Sequence, residues 1–517
     1  MAQPKHQAKH ARVSVDTPVE ECSLGIMGKG MHSIYVLLCV ALLALPLVCM
    51  AWAPTTTSSE KKDLAPLPSL MVDGKPNVHF LSDAGAYFED HFAFRNELVD
   101  ADALLKERVL HISATDRVIV GRDGWLFYKG TLNDYQRTNL MSDRAIFNAA
   151  HNVALVQEFV EGRGASFAVG IAPNKNSLYP RYMPYYLLRG TDAGNLARFE
   201  QEAGALGVHL VDLTSALSAP DQVLYYETDS HWTNEGARIA YEALMAAVGR
   251  AFTSLEGTET ASIEHLGDVA VMLRPLSATP EEDIAYAGAQ QYEYVEGDDV
   301  EDTAIQTRST RDKATGSLVI YRDSFGNALV PYLGSEYADA FFSKLLPYDM
   351  GEVARREADT VLFERAERHL SSYATTPPYM YSPQREIPDL TVAREMDAAT
   401  ASVRINGPYL QIGGCVEDPA LQSDSLIYVD VAVGDKAVGL FEAFLVSSQA
   451  EAVSDVDGAS EPGADEVTGD GGYRAFLQAS AFEDVLDTMR IKVYVMDGNV
   501  ATCVLDSSVS EVFVDSE

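Results

Sequence analysis

The strongest constraint on this chain is an alternation. Apolar runs at 165–173 (ASFAVGIAP), 208–213 (VHLVDL), 317–321 (SLVIY) and 359–368 (DTVLFERAER) take turns with stretches of helical periodicity, such as 143–162 (DRAIFNAAHNVALVQEFVEG) and 234–252 (NEGARIAYEALMAAVGRAF). A strand that is apolar on both sides needs both faces of its sheet covered, and helices that return the chain over those faces supply the cover. The pattern predicts an α/β fold, a parallel sheet flanked by helices. An acidic insert at 280–303 (PEEDIAYAGAQQYEYVEGDDVEDT) interrupts it and reads as an exposed excursion rather than core.

Beyond about residue 388 the helical spacing stops, and short alternating runs take over, with Gly434-Asp435 and Asp497-Gly498-Asn499 as turn chemistry between them. This predicts a C-terminal all-β, sandwich-like domain over 388–517. Its loop at 454–472 has almost nothing to bury and reads as mobile. Before the alternation, 86–110 has helical spacing, and Asp123-Gly124 reads as a hairpin turn. The α/β domain is expected over 75–387.

Near the N-terminus, 34–53 (IYVLLCVALLALPLVCMAWA) lies in a stretch without charge from Ser33 to Ser59. About 20 such residues cross a bilayer as a helix. A cleaved signal peptide is the rival reading because Ala51-Trp52-Ala53 has a cleavage-site form, but Pro54 would follow the cut directly. A lipoprotein site fails because Val48 before Cys49 is too large. The expectation is a single transmembrane anchor at 34–53 after a cytoplasmic tail (1–33), then a Ser/Thr/Pro-rich linker (54–74). Lys5, Lys9, Arg12 and Lys29 precede the span, which puts the N-terminus inside and the rest of the chain outside the cell membrane. With 39 Lys+Arg against 76 Asp+Glu, the formal charge of −37 excludes nucleic acid as a partner. Cys415 and Cys503 are the two cysteines of the exported portion and suggest a disulfide, with two buried thiols as the alternative.

The chemistry-bearing stretches are ETDSHWTNEG (227–236) and GSLVIYRDSFGNALVPYL (316–333). In the second, an apolar strand runs into Arg322-Asp323-Ser324 and a helix start, where backbone N–H groups can face a developing oxyanion. Ser324 needs a base, and His231 is the candidate. Asp229, two residues earlier, shares a side with His231 in extended chain and can fix its tautomer. The bland alternatives are an N-cap role for Ser324 or Asp323 and a metal at Asp229 and His231, for which no further ligand stands at suitable spacing. Trp232 is a sugar platform or core, and Asn174 an oxyanion donor or a turn residue. Lys175, Tyr179 and Arg322 are further candidates for touching substrate. No cofactor is implied.

Four motifs, Asp229 to Ala237 (DSHWTNEGA), Asp323 to Gly326 (DSFG), Asp123 to Tyr128 (DGWLFY) and Ala172 to Pro180 (APNKNSLYP), carry a family resemblance over about residues 80 to 370. Together they resemble the AlgX/AlgJ-type (DHHW) branch of SGNH hydrolase-like proteins, which includes alginate O-acetyltransferases. The Asp/His pair precedes the serine, as in a circular permutation of the usual SGNH order. The resemblance implies Ser324 as nucleophile, His231 as base and Asp229 as orienter, in acetyl transfer to an exported polysaccharide with acetyl supplied by a membrane-bound O-acyltransferase partner. Arg322 stands where that motif has glycine, which could crowd the turn or contact the glycan. A carbohydrate-binding role for the β domain is analogy only. An acetyl esterase with the same triad and a non-catalytic glycan-binding surface protein are the competing readings.

Overall fold

The computed structural model describes residues 29–50, 52, 64–72, 75–219, 222–387, 391–417, 421–448, 469–482 and 484–512. The chain forms two compact units, 1–99 and 100–517. The expected tail up to 28, positions 51 and 53 of the expected anchor, positions 54–63 and 73–74 of the expected linker and positions 454–468 of the loop expected at 454–472 lie outside the described residues.

The first unit contains helices α1 (Lys29–Cys49) and α2 (Phe80–His91). Among the described residues no helix is long and apolar enough to cross a membrane. In α1 the side chains at 29–32, 42–43 and 46–47 are outside the described set, so the uninterrupted described run is only 33–41.

The second unit is built on a seven-stranded sheet. In chain order its α/β part runs α3 (Asp143–Glu161), β1 (Ser166–Ala172), α4 (Asn195–Ala205), β2 (Leu210–Val211), α5 (Asn234–Ala247), β3 (Glu259–His265), β4 (Glu281–Tyr286), β5 (Tyr292–Glu296), β6 (Ala304–Ser309), β7 (Thr315–Tyr321), α6 (Val330–Glu336), β8 (Tyr337–Ser343) and β9 (Thr360–Ala366). The sheet order is β2-β1-β9-β7-β8-β6-β5. Its first five strands are parallel, and β6 and β5 add antiparallel at one edge.

The strand period explains the unbroken apolar runs. Val319 and Tyr321 of β7 pack with Val153, Val156 and Phe199 from α3 and α4, whereas Leu318 and Ile320 pack with Ala240, Leu244 and Leu333 from α5 and α6. Each face thus claims alternate residues of one strand. Truncating fully buried Ile320 to Ala would cost about 3 kcal/mol through lost burial and a cavity. The helix starts follow from local chemistry, because Ser142 Oγ accepts the Ala145 N–H (2.9 Å) and Thr233 Oγ1 the Gly236 N–H (3.2 Å). Asp123 and Gly124 adopt φ of 56° and 88° between paired segments Val118–Val120 and Leu126–Tyr128, the left-handed geometry that makes glycine useful there.

The acidic insert departs from expectation. It is no excursion: Glu281–Tyr286 pairs with β3 in a separate two-stranded sheet, and Tyr292–Glu296 becomes the edge strand of the main sheet.

The C-terminal part is all-β. One sheet has the order Gln384–Arg385, Lys436–Glu442, Leu426–Val433, Met489–Asp497, Val500–Ser508, Thr391–Glu395; the other runs Ser402–Asn406, Tyr409–Cys415, Gly472–Gln478, Phe444–Val446. Their inner faces share a core of Ile412, Ala475 and Leu477 against Val429, Ile491 and Val493. The boundary expected at 387/388 falls within the second compact unit. There Asn152 of α3 exchanges hydrogen bonds with Leu445 (2.8 and 2.9 Å), and Arg385 binds Glu158 through two nitrogens (2.5 Å each) and Glu442 through a third (2.6 Å).

The expected disulfide is corrected by this arrangement. No disulfide joins Cys415 to Cys503. They stand on strands of different sheets, and Cys503 packs with Tyr428, Tyr494 and Met496 in a cluster separate from the inter-sheet core.

Candidate active site

The residues singled out in the sequence collect at the carboxyl ends of parallel strands, where open α/β sheets place their sites. Asn174 and Lys175 follow β1, Ser324 follows β7, and Arg368 and His369 follow β9. Ser324 precedes a short 3-10 turn, Phe325–Leu329, that leads into α6. Its hydroxyl lies 2.9 Å from His231 Nε2, and His231 Nδ1 lies 2.7 Å from Asp229 Oδ1. Serine, imidazole and carboxylate therefore form one line.

Asp229 is saturated with donors. Oδ1 accepts from the His231 ring and backbone N–H (2.8 Å), and Oδ2 from His265 Nε2 (2.8 Å) and the Asp268 N–H (2.9 Å). Burial opposes its charge, yet the two imidazoles hold its carboxyl well below the usual range. An ionised carboxylate only accepts, so His231 carries a proton on Nδ1 and, when neutral, turns a lone pair toward Ser324. Burial lowers the affinity of His231 for a proton, but the charge and hydrogen bond of Asp229 outweigh it and raise the pKa to about 8.

The loop bearing Asp229 is held from two sides. Lys175 Nζ donates to the carbonyls of Leu126 (2.6 Å), Glu227 (2.7 Å) and Asp229 (2.9 Å), while Glu281 of β4 accepts the N–H groups of Glu227 and Thr228 (2.7 Å each). The acidic insert is thus part of the site's frame. Burial brings the Lys175 pKa down to about 7 against the pull of the acids around it.

The turn after β7 offers fewer oxyanion donors than its sequence suggested. Phe325 N–H is taken by Asp323 Oδ1 (3.0 Å), Gly326 N–H by the Asp323 carbonyl (3.2 Å) and Asn327 N–H by the Ser324 carbonyl (3.1 Å). Among the described residues the Ser324 N–H has no acceptor, which leaves it as the backbone donor for a developing oxyanion. Asp323 Oδ2 accepts from the Ala366 N–H (2.8 Å) and His369 Nδ1 (2.7 Å), so it ties the turn to the end of β9. A Cβ on Gly326 would meet Arg322 Cβ at 2.6 Å and Glu364 Oε2 at 2.8 Å, which explains the glycine after Phe325.

Several substrate candidates prove structural. Trp232 is 1% exposed and donates through Nε1 to the Phe325 carbonyl (3.1 Å), so it is core and not a sugar platform. Asn174 is 1% exposed, with its side-chain amide donated to Asp134 (3.1 Å), not to an oxyanion. Lys175 is consumed by the three carbonyls above, and the Tyr179 hydroxyl accepts the Leu224 N–H (2.8 Å). Arg322 packs closely against Gly326 of the turn and does not reach solvent; its buried guanidinium binds the carbonyls of Val300 (2.9 Å) and Asp302 (3.1 Å) and the side chain of Asn327.

Sequence reasoning missed His265, Asp268, Arg368 and His369. His265 and Asp268 reach Asp229 across 36 and 39 residues and belong to no spaced motif. Arg368 puts its guanidinium carbon 5.4 Å from the Phe325 ring, beside the nucleophile. Asp268 also changes the metal reading, since one atom from each of Asp229, His231 and Asp268 lies within 4.8 Å of the others. Those atoms are already used: Asp268 accepts from the Ser230 N–H (2.7 Å) and hydroxyl (2.6 Å), and His231 Nδ1 donates to Asp229. A cation on Nδ1 would displace that proton, so the metal-bound and hydrogen-bonded arrangements exclude each other.

The fold and geometry define a class: a serine in hydrogen-bonded line with an Asp-His pair at the strand ends of a parallel α/β sheet. Within that class, residues 118–306 match the family model described as SGNH hydrolase-like domain, acetyltransferase AlgX. The AlgX/AlgJ-like character expected from the motifs is thus shown for a segment that carries Asp229 and His231 and ends before Ser324. The chain is 25% identical over 183 residues to the probable alginate O-acetylase AlgJ of Pseudomonas syringae pv. tomato, which covers 34% of this chain and 44% of that protein. The Pseudomonas putida counterpart is 30% identical over 163 residues, or 30% of this chain and 39% of that one. The chain therefore spans less than half the length of these curated relatives. Among solved structures, Bacillus cereus PatB1 aligns with a TM-score of 0.39 and 16% identity, covering 50% of this chain and 97% of that one.

Proposed function

We propose that this chain is an O-acetyltransferase that carries acetyl on Ser324 and passes it to a hydroxyl of a cell-envelope or secreted polysaccharide. The observation that carries this reading is the 2.9 Å separation of His231 Nε2 from Ser324 Oγ with Asp229 on the opposite ring nitrogen. In the first half-reaction Ser324 Oγ attacks the acetyl carbonyl of the donor ester while His231 takes the hydroxyl proton. The oxyanion forms against the Ser324 N–H. As it collapses, the donor's C–O bond breaks and His231 returns the proton to the departing oxygen. In the second, a sugar hydroxyl gives its proton to His231 and attacks the acetyl-serine, which releases Ser324 with that proton. Asp229 holds the tautomer and stabilises the imidazolium throughout.

The names of the AlgJ relatives support a polysaccharide acceptor. The uncharged stretch at 34–53 and the Lys/Arg residues before it support an uncleaved membrane anchor with the catalytic and β portions outside, where a membrane-bound O-acyltransferase would supply acetyl.

The test is mass spectrometry of the full chain after exposure to an activated acetyl ester, with and without polysaccharide. Acetyl on Ser324 that moves to the polysaccharide is the expected result. Acetyl lost only to water makes the chain an esterase, and a wild-type chain that never carries acetyl on Ser324 overturns both.

A further inference from the structure

Asp229 is shared between two imidazoles, and only one of them faces the nucleophile. His265 closes β3, a strand that the main sheet does not contain, and its Nε2 lies 2.8 Å from Asp229 Oδ2. Its ring is stacked on Tyr226 at 3.9 Å and 11°, so its direction is fixed from the side. We infer that His265 is a positioning residue of this site: it locks the rotation of Asp229 and, by drawing on that carboxylate's charge, sets how strongly His231 holds its proton. The inference rests on the reading of Ser324, His231 and Asp229 given above.

The groups facing His265 come from every side. Asp229 and Tyr226 belong to the loop before α5, Asp268 follows β3, and Glu281 and Asp283 stand on the paired strand β4. The Tyr226 hydroxyl is donated to Asp283, so the donors to Asp229 Oδ2 are His265 Nε2 and the backbone N–H of Asp268. The sign of its effect does not depend on its own charge. As a neutral donor or as a cation, it withdraws negative charge from Asp229; removing it leaves Asp229 more basic, and His231 then keeps its proton to higher pH.

The experiment measures acylation of the full chain by p-nitrophenyl acetate across pH, together with an NMR titration of the His231 ring, in the wild type, His265→Phe and His265→Gln. His265→Phe should lower the acylation rate roughly tenfold with KM unchanged and raise the midpoint of the pH profile by about one unit. His265→Gln keeps an N–H donor and should restore most of the rate, with a midpoint in between. A His265→Phe chain with the wild-type rate and midpoint overturns the inference. So does equal loss in both variants with an unmoved midpoint and a lower thermal midpoint, which marks a role in folding alone. The NMR titration reads the effect on His231 without turnover; absence of acetyl on wild-type Ser324 would remove the catalytic reading while this measurement still decides the role of His265.

Discussion

Two Asp-His pairs flank the nucleophile, and they are built alike. Asp229 meets His231 Nδ1 at 2.7 Å, and Asp323 meets His369 Nδ1 at 2.7 Å. Their surroundings separate them. Both carboxylates are buried, Asp229 at 4% and Asp323 at 5% exposed, but His231 ends on the Ser324 hydroxyl, whereas Asp323 uses its oxygens to bind the N–H groups of Phe325 and Ala366. Burial opposes the charge of Asp323, and His369 with the nearby Arg368 and Arg365 holds its carboxyl well below the usual range. On the proposed mechanism one pair moves a proton, and the other holds the turn that carries Ser324. What a carboxylate-imidazole pair does is decided by what its outer atoms face.

The comparison can be broken by substitution. Ser324→Ala should abolish the acetyl-enzyme and lower turnover on the order of a million-fold, and His231→Ala should do nearly as much because the two act as a unit. Asp229→Asn should keep the shape and lose roughly 10⁴-fold through the wrong tautomer. Steady-state kinetics on folded protein, checked by circular dichroism, reads all three. If Asp229→Asn keeps wild-type activity, the two pairs do not differ as described. Asp323→Asn should show the reverse balance, with about 2 kcal/mol of stability lost in denaturant unfolding and an activity loss far smaller than that of Asp229→Asn.

The pH dependence sharpens the contrast. The base works only when neutral, so kcat/KM should rise with pH and level off above about 8, the value to which Asp229 lifts His231. Stability should move the opposite way. A His231 pKa raised above its ordinary 6.5 stabilises the fold fully below that value, and this contribution is lost as pH rises through about 8. A flat rate profile across that window would remove His231 as the base.

Chelation should leave activity unchanged, since Nδ1 of His231 holds a proton for Asp229. Loss of activity on metal removal, with recovery on adding the ion back, would favour the metal-bound alternative at Asp229, His231 and Asp268. The smallest effect concerns the β part. Denatured, unreduced protein should show both Cys415 and Cys503 open to thiol labelling, and reduction should leave unfolding unchanged. A protected pair would restore the disulfide that the sequence suggested.

Ser324, His231 and Asp229 were legible because each sits in a local pattern: a strand running into a turn, and two residues spaced to share a side. Trp232, Asn174, Lys175 and Arg322 misled for the opposite reason. Their side chains suit a glycan or an oxyanion, but burial gave their polar atoms to Phe325, Asp134, the catalytic loop and the 300–302 segment. A buried donor left unpaired costs more than an exposed one, so the fold claims such groups first.

The sequence by itself determined the alternation of strands and helices, the C-terminal β pattern and the place of Ser324 at the end of an apolar strand, because period and turn chemistry are local. Only the tertiary structure decided that the acidic insert frames the loop bearing Asp229, that His265 and Asp268 join Asp229, and that Cys415 and Cys503 stay apart. Those contacts join residues tens of positions apart. Their partners are chosen by how sheets and helices pack, which no spacing along the chain records.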